Sequence, residues 1–192
     1  MARPPAPGTR DTILRAASGL FYRHGVRAVG MAQVIDMAGC GKNLLYRHFP
    51  AKSDLAAAYL TLVRGERMRA IEAALASAGD PAGQLIALVT DVAELVGAPA
   101  YRGCAFRNYL TEFPGEDDEP ARIARAYLRD TRAQIDRLAA ALPPIDPDRV
   151  WLIIGGLHGG PADQGPVAVA WITEMVAERG VLRGVSAPRR HP

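Results

Sequence analysis

Cysteine is scarce in this chain of 192 residues. Cys40 and Cys104 are the only two, too few for a disulfide framework or a thiolate metal cluster. No apolar run approaches the length of a membrane span. The opening Met-Ala-Arg-Pro-Pro-Ala-Pro-Gly lacks the apolar core of a signal peptide and reads as a disordered arm over 1–8. Strand-favouring residues never settle into a period of two, while Ala, Leu and Arg are abundant, so an all-α fold is expected. No Ser-His-Asp arrangement, telling carboxylate pair or His/Cys metal set stands out. The chain is therefore read as a non-enzyme, with no metal and no cofactor, soluble and cytoplasmic. The stretch Gly39-Cys40-Gly41-Lys42-Asn43 echoes the end of a phosphate-binding loop. That loop requires Gly at position 36 and Ser or Thr at 43, which hold Asp36 and Asn43.

What is present is apolar and unevenly charged. Apolar residues make up 49% and charged ones 22%, enough for a well-filled core. The net charge of +3 is modest, but its distribution is not. Residues 1–54 hold eight Lys or Arg against three acids, a net +5, which leaves −2 for the remainder. A small cationic module on a near-neutral body suits a nucleic-acid-reading head.

Gly and Pro divide the chain into helices. Thr9 is placed to cap a first helix whose stripe is Ile13, Leu14, Ala17, Leu20 and Phe21, stopped by Gly25. Two short helices follow over Met31–Ala38 and Lys42–His48, separated by Gly39-Cys40-Gly41 and closed by Phe49-Pro50. The first should bury Met31, Val34, Ile35 and Ala38. This is the pattern of a helix-turn-helix. A long helix is expected from Lys52 to about Ser77, another from Pro81 to near Gly97, and a shorter one over 102–113. The next should run from the acidic stretch at 116–119 to about Leu142. Two more fit Asp148–Gly160 and Pro166–Arg179, and the tail from 184 to 192 reads as disordered.

The motifs "RDTILRAASGLFYRHG", "AGCGKNLLYRHF" and "PAKSDL" resemble the N-terminal domain of the tetracycline-repressor (TetR) family of regulators, over about a quarter of the chain. The resemblance implies a DNA-binding head over 9–54 and an effector-binding, dimerising helical bundle over 55–183. In such a head the N-terminal residues of the second helix of the motif meet base edges. Lys42, Asn43 and Leu44 take those places; Asn43 suits adenine, Lys42 guanine or a phosphate, and Leu44 a thymine methyl. Tyr46, Arg47 and His48 are candidates for phosphate, as is Gln33 on the preceding helix. Lys52 clamps a further phosphate, as the resemblance implies. The chain departs from the family where a hydroxyl is usual near Val29 or Gly30, where Ser often stands at Gly41, and where Gly-Thr is frequent at Asn43-Leu44.

The body is read less specifically. "YRGCAFRNYLTEFP" at 101–114 places Cys104, Asn108 and Glu112 at i, i+4 and i+8, one helical face that either lines a pocket or ties the helix to neighbouring backbone. Cys104 is either an inert core thiol or a sensor, the latter needing an exposed electropositive site. Tyr59, Leu62, Met68, Leu88 and Trp151 are candidate pocket wall for an unidentified small-molecule effector. The apolar, glycine-bearing segments "VWLIIGGLHGG" and "VAVAWITEMV" suit a twofold dimer seam through Trp151, Ile154, Leu157, His158, Val169, Ile172 and Val176. The reading is thus a homodimeric, ligand-responsive repressor on double-stranded DNA. The alternative is a helical protein-interaction module that keeps a degenerate head; strong salt dependence of DNA affinity separates the two.

Overall fold

The computed structural model describes residues 9–185, and the expected arm over 1–8 and most of the expected tail lie outside them. Among the described residues are nine α-helices. They are α1 (Thr9–His24), α2 (Met31–Ala38), α3 (Lys42–His48), α4 (Lys52–Ala76), α5 (Pro81–Gly97), α6 (Ala105–Glu112), α7 (Glu119–Ala140), α8 (Pro147–Gly159) and α9 (Gly165–Val185), with a 3-10 turn over Ala162–Gln164 before the last. Every helix expected from sequence is present.

The boundaries follow local chemistry. Asp80 accepts the N–H of Gly83 at 2.7 Å ahead of Pro81, and Asp146 accepts that of Asp148 at 2.9 Å ahead of Pro147. In both, a carboxylate closes a free backbone donor and proline occupies a position that needs none. Helix α6 begins three residues later than expected, because Gly103 has φ +93° and Cys104 is extended at the N-cap. Helix α9 continues past its expected end at 179 to Val185; glycine lowers helix propensity without obliging a stop.

The chain divides into two compact units. Among the described residues, the first joins 9–66 with 104–128, the second 67–103 with 129–185. Packing thus adds α6 and the first part of α7 to the helices of the expected 9–54 head. In the first unit α1 turns its whole expected stripe inward, and Val34, Leu45, Phe49, Leu55 and Leu60 complete the core with Phe106 and Tyr109 from α6. Of the four α2 residues expected inside, only Val34 is fully buried; Met31, Ile35 and Ala38 are half-buried against the same core.

The second unit is centred on α5, where Leu85, Leu88, Val89, Val92 and Val96 are buried among Ile135, Val150, Ile154, Leu157 and Ile172. Helix α9 starts hard against α5: a Cβ on Gly165 would stand 3.1 Å from the Cβ of Ala93. Arg67 and Asp91 pair across α4 and α5 with little exposure.

Candidate nucleic-acid interface

The site is built on α2 and α3. Helix α2 starts from Gly30, whose backbone is extended (φ −85°, ψ 153°) and offers no side chain as a cap. Gln33 supplies half of a capping box instead, its Oε1 accepting the Gly30 N–H at 2.7 Å. Gln33 was expected to touch DNA; its oxygen is committed to the cap, which leaves the exposed amide NH2 for that role. The helix ends at Gly39 in the left-handed region, φ +61°. Two N–H groups fold back there, Gly39 to the Asp36 oxygen and Cys40 to that of Ile35. Such an ending closes free carbonyls and is cheapest for glycine.

Helix α3 begins at Gly41, again extended and without a side-chain cap. Leu45 is fully buried and Phe49 is 1% exposed, so one side of α3 is anchored in the core. The opposite side carries Lys42, Asn43, Tyr46 and Arg47, all exposed, with Leu44 half-buried beside them. The structure therefore brings five of the expected contacts onto one accessible region of a short helix. His48 is half-buried, and its Nε2 is enclosed without a hydrogen-bond partner.

Lys52 opens α4 and is half-buried rather than free. Its Nζ donates to the Arg27 carbonyl at 3.1 Å, leaving two N–H donors of the ammonium. Burial pulls its pKa below the usual lysine value; the Glu112 carboxylate opposes that shift and the Arg27 charge adds to it. Two basic residues near the site were not singled out from sequence. Arg10 stacks its guanidinium 4.9 Å from the Phe49 ring centroid, and Arg27 does the same at 4.8 Å over Phe113. The only sequence signal for either was the basic excess of the first 54 residues.

The three-residue face expected on α6 is altered by its late start. Cys104 is the N-cap, buried, and accepts the Asn108 N–H on its carbonyl at 2.9 Å. Glu112, at the last position of α6, accepts the Arg27 backbone N–H at 2.6 Å. Of the two readings of this face, backbone tethering is what Glu112 does. Tyr59 is 3% exposed and edge-on to Phe21 in the first unit, where burial raises its phenol above the usual range. Leu88 is 1% exposed in the second. Both fill cores. Leu62 is half-buried in the first unit, Met68 and Trp151 half-buried in the second.

The expected seam residues divide similarly. Ile154, Leu157 and Ile172 are at most 2% exposed, in the core of their own unit, which corrects their placement on an outward face. Trp151, Val169 and Val176 are half-buried against that core. His158 shares a 2.5 Å hydrogen bond with Tyr101. The face left outward on α8 and α9 is another one: Leu152 is 72% exposed, Trp171 55% and Val167 48%. A groove of about 400 Å³ runs among these three and Gly156. Beside it a second groove of about 360 Å³ is flanked by Arg149, Glu174 and Glu178.

Comparison with known proteins agrees with this geometry. Residues 13–59 match the family model of bacterial regulatory proteins, tetR family. An uncharacterized HTH-type transcriptional regulator of Mycobacterium tuberculosis is 31% identical over 86 residues, 45% of this chain and 43% of that protein. The HTH-type transcriptional activator FasR of Mycolicibacterium smegmatis is 31% identical over 112 residues, 57% of this chain and 51% of that protein. The match thus spans about half the length of these relatives. The crystal structure of a TetR-family transcriptional regulator from Streptomyces coelicolor superposes with a TM-score of 0.76 at 27% identity, covering 93% of this chain and 96% of that one. Relatives and fold alike are those of transcriptional regulators, which are not enzymes. Residues 13–59 thus match the tetR family of bacterial regulatory proteins in sequence, and nearly the whole chain matches a solved TetR-family regulator in fold.

Proposed function

We propose that the protein is a sequence-specific DNA-binding transcriptional regulator that acts as a homodimer on a pseudo-palindromic operator. The observation that carries this is the α3 helix, rigidly seated by Leu45 and Phe49 while Lys42, Asn43, Tyr46 and Arg47 face outward. Such a helix presents amide and ammonium donors to base edges, and phenol and guanidinium groups to phosphates. Two copies related by a twofold axis read successive major grooves, about 34 Å apart. The outward face of Leu152, Val167 and Trp171 is the surface through which the copies pair. An effector bound by the larger portion of the chain then favours one head spacing over another, in proportion to its differential affinity for the two states. The family resemblance supports repression, whereas the relative FasR carries the name of an activator. The position of the operator relative to the promoter distinguishes the two.

The test is selection from random duplex DNA at near-physiological salt, using purified protein. Enrichment of a pseudo-palindrome is the expected result, with a steep fall of affinity as salt rises. Recovery of no sequence, with only weak binding, would overturn the reading and leave a protein-interaction module in its place.

A further inference from the structure

The turn between α1 and α2 is held by side chains that come from far along the sequence. Arg27 lies outside both helices, so neither its N–H nor its C=O has a helical partner. Both are closed by side chains of the first unit. Glu112, at the end of α6, accepts the N–H at 2.6 Å, and Lys52, at the start of α4, donates to the C=O at 3.1 Å. The Arg27 guanidinium in turn donates to the Glu112 main-chain oxygen and lies 4.8 Å from the Phe113 ring centroid. The carboxylate is fitted closely over the turn: a Cβ on Gly25, which has φ +83°, would stand 2.9 Å from its Oε1. One residue, through its two flanking peptide groups, thus joins the end of α6 to the candidate phosphate clamp on α4. Three residues further on, Gly30 opens α2.

We propose that Glu112 is a positioning residue for DNA binding, holding the Arg27 peptide and, through its carbonyl, the Lys52 ammonium where a backbone phosphate is met. The inference rests on the reading of the first unit as a DNA-binding head. Charge alone argues the opposite way. A carboxylate beside a phosphate-binding lysine repels DNA, so removing it without loss of geometry must tighten binding. A positioning role reverses that sign, because an ammonium freed from its carbonyl partner spends its rotamer entropy on finding the phosphate.

The two conservative variants separate these accounts. Glu112→Asp keeps the charge and loses the reach; Glu112→Gln keeps the reach and an acceptor oxygen but loses the charge. Operator affinity is measured by fluorescence anisotropy across a salt series, on the operator that wild-type protein selects, with a thermal unfolding curve for each variant. Positioning predicts that Glu112→Asp weakens binding about tenfold, the scale of one charge-assisted hydrogen bond. It also lowers the salt slope by about one for each head, one phosphate contact fewer. Glu112→Gln recovers most of that loss. Placed on a Lys52→Ala background, Glu112→Asp costs nothing further, since the two residues act as one.

Wild-type affinity and slope in Glu112→Asp overturn the proposal, as does an equal loss on the Lys52→Ala background. Should the aspartate variant not fold, Glu112→Ala, which loses both reach and charge, decides in its place: weaker binding supports positioning, and binding as tight as wild type or tighter gives Glu112 a purely electrostatic role and overturns the proposal. If wild-type protein selects no operator, the function proposed above fails and this inference falls with it; a failure confined to the Glu112 variants leaves that function standing.

Discussion

Gly39 and Gly41 stand two residues apart and answer to opposite physical demands. Gly39 has φ +61°, a left-handed conformation that costs an L side chain about 1 kcal/mol. Gly41 is at φ −79°, extended, with nothing within 4 Å of where a Cβ would stand. Alanine at 39 is therefore expected to lower the thermal midpoint by a few degrees, while serine at 41 is tolerated. Gly41→Ser should do more than that. It places a hydroxyl on the N-cap of the recognition helix, where it accepts a free backbone donor of the first turn and reaches toward a phosphate. An added hydrogen bond of that kind is worth roughly threefold to tenfold in operator affinity. Anisotropy titration of the two proteins on one operator checks it. Equal affinity would mean that the hydroxyl meets no phosphate, and that the family's serine at this place serves the helix alone. Resemblance to the family motifs singled out this region, where burial of Leu45 and Phe49 leaves polar residues on the other side. It did not reach Arg10 or Arg27, whose rings Phe49 and Phe113 are brought to them only by the fold.

At the scale of the helix, legibility tracks punctuation. Pro81 and Pro147 begin helices where a proline at the first position needs no N–H, and the aspartates before them are real caps. Where punctuation was ambiguous the boundary moved. Nothing in "YRGCAFRN" says that Gly103 turns left-handed, so the start of α6 and the face shared by Cys104 with Asn108 and Glu112 were displaced. At its other end α6 closes on Glu112, whose carboxylate reaches the Arg27 backbone. The cap on α5 gives a clean test of local logic. Asp80→Ala removes the acceptor for the Gly83 N–H and should cost about 1 kcal/mol, a fall of about 2–4 °C in thermal midpoint for a chain of this size. Asp80→Asn, which keeps an acceptor oxygen, should restore most of it. Operator affinity of the folded Asp80→Ala protein should stay as in wild type, because the cap lies in the second unit. A loss of affinity at temperatures well below the midpoint would contradict that separation.

For the whole molecule, the least legible feature is which side of α8 and α9 faces outward. Both helices are apolar nearly all round, so the hydrophobic pattern marks them as interface material without choosing a stripe. The fold chooses: Val150, Ile154 and Leu157 turn toward α5, and Leu152 turns away, with Val167 and Trp171 on the neighbouring helix. An outward patch of Leu, Val and Trp with charged flanks, Arg149 on one helix and Glu174 and Glu178 on the other, suits the twofold pairing proposed above. The double variant Leu152→Glu, Trp171→Glu places four like charges in that seam. Sedimentation equilibrium at micromolar concentration should then give a species of about one chain mass, with helicity retained. Operator affinity should fall by about two orders of magnitude or more, because each head binds its half-site without the effective concentration its partner supplied. Ile154→Ala makes the contrasting case: a cavity in the unit's own core, about 2–5 kcal/mol less stable, with the folded fraction assembling as wild type does. A doubly charged variant that still sediments as a pair would place the seam elsewhere on the chain, and an Ile154→Ala protein that dissociates while staying folded would put the buried stripe back at the interface.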